Sequence, residues 1–164
     1  MRNALAEWIT AQQIAGVAQV FPSHRHTYND DEFPQGGSDC VALVLVVLPF
    51  DSEDRAAYTG PRDAGGKDVH YSAELHVTHR GFHPDDWPAI ENDYDRIIDA
   101  LKDSLRGNGR DLGRPLAVFQ VGELPREGNI THTAVDPVED EDAGTVTRQG
   151  VIAFTITQYL QPST

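Results

Sequence analysis

The chain has one cysteine, one methionine and few basic residues, and each shortage removes a class of function. With only Cys40, no intramolecular disulfide can form; because it opens an apolar run, it reads as a small buried side chain rather than a nucleophile. The longest uninterrupted apolar run, Val41–Pro49, is too short to cross a bilayer, and no apolar stretch follows an N-terminal basic region. A soluble protein made in a cytoplasm is expected. Thirteen Lys and Arg against 26 Asp and Glu give a formal charge of −13. Such a surface repels phosphate, which argues against tight DNA reading and against adhesion to anionic membrane. It suits a protein past which DNA must slide without sticking.

Motifs that bind nucleotides or activate serine are also missing. The pairs Gly36-Gly37 and Gly65-Gly66, and Gly107-Asn108-Gly109, lie in polar stretches and read as turns, and no Gly-x-Ser-x-Gly elbow occurs. Acids are so abundant that no carboxylate pair stands out for glycoside chemistry.

The 164 residues suit one domain over 1–164. The opening "NALAEWITAQQIAG" places Leu5, Trp8 and Ile9 at helical spacing, with Asn3 as N-cap and Gly16 as the stop. "VAQVF" reads as a strand. "CVALVLVVLPF" is apolar on both alternations, which predicts a central strand covered on each side. Polar stretches over 22–39 and 51–68 read as long loops. The strongest helix carries Trp87, Ile90, Tyr94, Ile97, Ile98, Leu101 and Leu105 in steps of three and four, with acids around the rest, read as a solvated face. "LAVFQVGE", "NITHTAVDP" and "VTRQGVIAFTITQYLQ" read as strands. The order α-β-β-β-α-β-β-β predicts an α+β domain, a mixed and mostly antiparallel sheet with two helices packed on it.

Four of the seven histidines fall in "HYSAELHVTHRGFH". Val69, Tyr71, Ala73, Leu75 and Val77 alternate with His70, Ser72, Glu74, His76 and Thr78, which specifies a strand with one buried and one polar face. His79 falls beyond that pattern, opposite His76, and His83 lies past a glycine. Only Glu74 and His76 are same-face neighbours, roughly 7 Å apart. Zinc needs three or four ligands, and nothing in the sequence nominates a distant third. A metal enzyme built on Glu74, His76 and His24 or His26 is therefore the weaker reading. "DPVEDEDAG" matches a calcium loop only in acidity, lacking its spacing, central glycine and closing glutamate; it reads as a solvated loop. No metal or cofactor is expected. The acidic helix face plus "VEDED" also admits an acidic mimic of DNA that occupies a basic partner.

The succession of pieces resembles a known family. A short helix with a Trp precedes "IAGVAQVFP" and a loop rich in Gly and aromatics. Then come "VALVLVVLP", "VHYSAELHVTHRG", "YDRIIDALKDSLRGNGRDLG", "VFQVGE" and "VIAFTITQYLQ". This is similar to the tail terminator (tail completion) proteins of long-tailed bacteriophages, over nearly the whole chain. The likeness is one of order and texture, and head–tail connector (neck) proteins share it. It implies a non-enzymatic, hexameric, homo-oligomeric ring on the last ring of the tail tube, stopping its polymerisation and docking the neck. The implied partners are further copies of the chain, the major tail tube protein and the neck connectors. DNA would pass without specific binding and no membrane would be involved. The implied location is the virion's tail–neck junction, after assembly in the host cytoplasm. The family transfers no site residue by position; the candidate for a bore-lining or partner-facing loop is the acidic run Glu139, Asp140, Glu141 and Asp142.

Overall fold

The computed structural model describes residues 1–22, 41–55, 67–82, 87–108, 119–121, 130–140 and 144–160. Among these residues two helices and six strands follow in the order α1 (Arg2–Ala11), β1 (Val17–Phe21), β2 (Val41–Arg55), β3 (Lys67–Phe82), α2 (Trp87–Asn108), β4 (Phe119–Val121), β5 (Thr131–Asp140) and β6 (Thr145–Leu160). The strands form one sheet ordered β1-β2-β3-β6, with β4 and β5 both pairing to β6. Among the described strands β1 and β2 run parallel and the other pairs are antiparallel. This is the α+β fold expected, with the mixed, mostly antiparallel sheet and both helices on it.

Alternation decides what lies under the helices. Even positions of β2 and β6 and odd positions of β3 share one face, because Val44 faces Val77 and Leu75 faces Ile152 in the ladders. Ala42, Val44, Val46, Ala73, Leu75, Val77, Ile152, Phe154 and Ile156 form the core there, with Leu5, Ala6 and Ile9 of α1 and the stripe of α2. Ile90, Tyr94, Ile97, Ile98, Leu101 and Leu105 are buried as the spacing predicts, while Trp87 is only half-buried. Each buried aliphatic side chain of that stripe contributes about 2 kcal/mol. On the other face Leu43, Leu45 and Val47 cluster with Phe21 and are buried as well. The double-sided oil of β2 thus has the meaning expected of a strand flanked on both sides.

Several boundaries differ from the sequence reading. Helix α1 begins at Arg2, so Asn3 lies inside it and Met1 takes the cap position with no side-chain cap bond. It ends at Ala11, before Gly16; Gln13 already has a positive φ of 50°. Gly16 serves the turn into β1: its φ is 89°, and a β-carbon there would press on Ile97 Cδ1 at 2.9 Å.

Strand β2 runs on to Arg55 and β5 to Asp140, through stretches read as loop. Both contain a proline where the sequence reading stops the strand. In each, the register shifts at that point, between Val47 and Phe50 and between Val135 and Val138. A bulge takes the proline out of the ladder, where its missing N–H costs nothing, and pairing resumes beyond it. Strand β3 likewise continues past Thr78, and His79 keeps the buried alternation instead of falling outside it. Of "LAVFQVGE", only Phe119–Val121 is described, as a short strand.

Candidate functional site

Two features of the sheet can carry function: its edge at β5, and a polar cluster buried between α2 and the strands beneath it.

Strand β5 borders β6 and no other strand among the described residues. Eight of its ten residues are exposed, with His132 and Pro137 half-buried. Val135 and Val138 are 48% and 63% exposed, and they are the large exposed hydrophobics among the described residues. Simple alternation would place residues three apart on opposite faces. The bulge at Asp136-Pro137 resets it: Val135 pairs with Gln149 and Val138 with Thr147, two positions on the same face of β6. Both valines therefore share the face that is turned away from the helices. That face also carries the half-buried Val151 and Ala153 of β6 and the Glu74–His76 row of β3.

Of the acidic run, Glu139 and Asp140 belong to β5 and are exposed, paired in register with Val146 and Thr145, rather than lying in a loop. Glu141 and Asp142 lie outside the described residues. The proline, the bulge and the acids blunt this half of the edge against indiscriminate strand addition, leaving Thr131–Val135 as its regular part.

Glu74 and His76 are neighbours as expected: His76 Nε2 and Glu74 Oε2 lie 2.7 Å apart, each side chain about one-third exposed. They stand at the polar part of the second face, and among the described residues no third ligand joins them. Among the described residues no three His, Cys, Asp or Glu side chains gather as a metal site would require. His24, His26, Cys40 and His83 lie outside the described residues.

The buried cluster is not legible in the sequence. His79 has no exposed surface, and its Nε2 lies 3.1 Å from Asp93 Oδ2 of α2. Asp93 is held ionised by Arg96 and His79, which outweigh its partial burial and lower its pKa below the usual carboxylate value. The His79 Nε2–H therefore donates to that carboxylate, and Nδ1 is left as a bare buried acceptor with no hydrogen-bond partner. Protonating Nδ1 would bury an N–H with nothing to receive it. Burial accordingly pulls the His79 pKa below 6.5, outweighing the attraction of Asp93, with Arg96 and Arg148 adding repulsion. Arg96 also donates from Nη1 to the Ala15 carbonyl at 3.2 Å, tying α2 to the turn before β1.

Tyr94, on the next position of α2, has no exposed surface either. Its hydroxyl shares a hydrogen bond of 3.0 Å with His132 Nε2 of β5, and its ring meets His79 edge-on at 6.1 Å. The Arg148 guanidinium of β6 lies over the ring, 5.3 Å from the centroid, and reaches Glu91 of α2 at 3.3 Å. Burial pushes the Tyr94 phenol up to about 12 despite Arg148. Room for this arrangement comes from Gly150: a β-carbon there would overlap the Tyr94 hydroxyl and come within 2.8 Å of His132 Nε2.

The acids of α2 thus divide. Asp95, Asp99 and Asp103 are exposed as expected of a solvated face, whereas Glu91 and Asp93 border the stripe and turn inward to Arg148 and His79. A histidine oriented by a carboxylate beside a tyrosine has the makings of acid–base chemistry. Here neither His79 nor Tyr94 meets solvent, so a substrate could touch them only if α2 or β5 lifted. The arrangement fastens α2 and β5 to the sheet.

No protein-family model matches the chain, and no curated protein matches it.

Proposed function

We propose that the protein is a ring-forming structural component of a long-tailed bacteriophage virion, the tail terminator. It would cap the tail tube, end the tube's polymerisation and join it to the neck. The observation that carries this reading is the placement of Val135 and Val138 side by side on an exposed edge strand, by means of a bulge. An apolar pair on a rim otherwise guarded by Asp136, Pro137, Glu139 and Asp140 fits a contact made by side chains with one specific neighbour. Rings close when one surface meets a different surface of the next copy by a repeated rotation, and an edge of this kind supplies one such surface.

Two further points support the reading. The succession of segments in the sequence resembles that of the tail terminator family. The charge of −13 keeps phosphate from adhering, as a bore traversed by DNA requires. In this reading Glu139 and Asp140 face the bore or a partner, and the work is non-catalytic.

Native mass spectrometry of the protein, alone and mixed with tail tube protein, tests the proposal. A ring of about six copies that binds the tube is expected from closed-ring assembly. A strict monomer under both conditions overturns it. Neck connectors use rings of the same construction, so a ring that ignores tail tube protein but binds other neck components would assign the chain to them instead.

A further inference from the structure

We propose that the Tyr94–His132 contact is an acid-loosened latch that seats edge strand β5 against helix α2, and so governs how Val135 and Val138 are presented. The importance of that presentation for assembly rests on the ring reading above; the latch itself does not.

The attachment of β5 is unusual for a ten-residue strand. None of its residues is buried, so the hydrophobic effect does little to hold it. Ile130, just before it, packs against the core and anchors its start. The backbone ladder of β5 to β6 is interrupted at the Asp136-Pro137 bulge. The hydrogen bond between His132 and Tyr94 ties this strand to α2. Tyr94 is fully buried with Arg148 over its ring, and Gly150 leaves the gap through which its hydroxyl meets the imidazole. The imidazole of His132 therefore joins β5 to a buried hydroxyl of α2.

The groups around that imidazole disfavour its charge when seated. From α2 it faces Tyr94, Lys102, Asp95 and Asp99; from β6 it faces Arg148; His79 of β3 lies across the Tyr94 ring. Partial burial and the cations Lys102 and Arg148 prevail over Asp95 and Asp99, so the seated imidazole holds a proton less readily than one in water. A β5 that swings His132 into solvent restores the ordinary affinity. Protons therefore bind the loosened form more tightly and shift the population towards it. One titrating histidine can change the loosening equilibrium by at most about tenfold per pH unit.

Hydrogen exchange on the isolated chain reads this directly, as protection factors corrected for intrinsic rates. Between about pH 7.5 and pH 5.5, the amides of Thr131–Val135 are expected to lose protection by about twofold to tenfold while those of α2 hold theirs. Tyr94→Phe should lower β5 protection already at neutral pH, and His132→Gln should flatten its pH dependence. Should either variant fail to fold, the wild-type protein suffices, because the His132 ring protons must titrate below 6.5 in step with the β5 amides. Unchanged β5 protection, His132 titrating at or above 6.5, or parallel loss across α2 would each overturn the latch. A chain that loosens on schedule yet never forms a ring would remove the proposed function and leave the latch standing. A ring whose β5 protection ignores pH would do the reverse.

Discussion

Replacing Gly150 by Ala probes the buried cluster with a single methyl group. The added β-carbon would overlap the Tyr94 hydroxyl and lie 2.8 Å from His132 Nε2 and 3.1 Å from the Thr133 carbonyl. Tyr94 cannot retreat, because its ring is closed in by Arg148 and its neighbours on α2 are Ile90, Ile97 and Ile98 of the core stripe. Either α2 lifts or His132 is pushed off. Overpacking costs about 1–3 kcal/mol and the lost hydrogen bond about 1 more, so Gly150→Ala should cost about 2–4 kcal/mol. Tyr94→Phe alone forfeits only the hydrogen bond, about 1 kcal/mol.

The two costs should not add. With the hydroxyl gone, the methyl group meets mainly the imidazole of a half-exposed residue on an edge strand, which can swing out. Gly150→Ala combined with Tyr94→Phe should then cost only about 1 kcal/mol beyond Tyr94→Phe alone, a coupling of about 1–3 kcal/mol. Urea unfolding midpoints of the four proteins, compared at a common m value, measure it. Strict additivity, or a Gly150→Ala protein within about 0.5 kcal/mol of wild type, would show that the hydroxyl does not occupy the space above Gly150.

Other consequences are as direct. His79 and Asp93 both have folded pKa values below their ordinary ones of 6.5 and 3.8, so each contributes stability that is complete above that value. That stability is lost as pH falls through the folded value; thermal melts should fall on acidification from 6.5, and His79→Gln should remove the first part of the fall. Tyr94 has the opposite sign: its phenol is raised from 10.0 to about 12, so stability is full below 10.0 and fades above it, and absorbance should show one tyrosine, absent from Tyr94→Phe, ionising near that raised value. The double variant Val135→Ser, Val138→Ser should weaken self-association seen by sedimentation while moving monomer stability by no more than about 0.5 kcal/mol per site. Reversing Glu139 to Lys should leave the melting temperature nearly unchanged, since it is exposed on the edge strand; a large drop would mean that it is packed.

How much of this is legible in the sequence follows from how local each signal is. The order of elements, the stripe of α2 and the two-faced burial of β2 are set by periodicity within one segment, and the structure has all three. The sequence misleads about the strand ends at Pro49 and Pro137 because proline marks a stop only where the ladder needs its N–H. Whether a bulge absorbs it depends on the partner strand. The start of α1 misleads for a related reason: Asn3 is a good cap by type, yet burial of Leu5, Ala6 and Ile9 keeps the helix going back to Arg2 without one. His79 is the clearest case. Its alternation already places it on the buried face, and the one local cue is that continuity of odd positions from Val69. What gives it meaning, Asp93 at 3.1 Å and Arg148 paired across the ladder, arrives from 14 residues further on and from another strand.

The same reasoning explains why the histidine-rich stretch misleads. Neighbouring positions on a strand point to opposite faces, so His76 and His79, three residues apart, serve different sides of the sheet. His76 joins Glu74 on the face that carries Val135 and Val138, while His79 lies beneath α2 with Tyr94 and, through it, His132 of β5. Side-chain chemistry in this chain is therefore distributed by register and not by sequence proximity. The edge strand is the place where the two faces communicate. Ala134 and His132 sit on the helix side of β5, Val135 and Val138 on the other, and any shift of the strand against Tyr94 must move the valines with it.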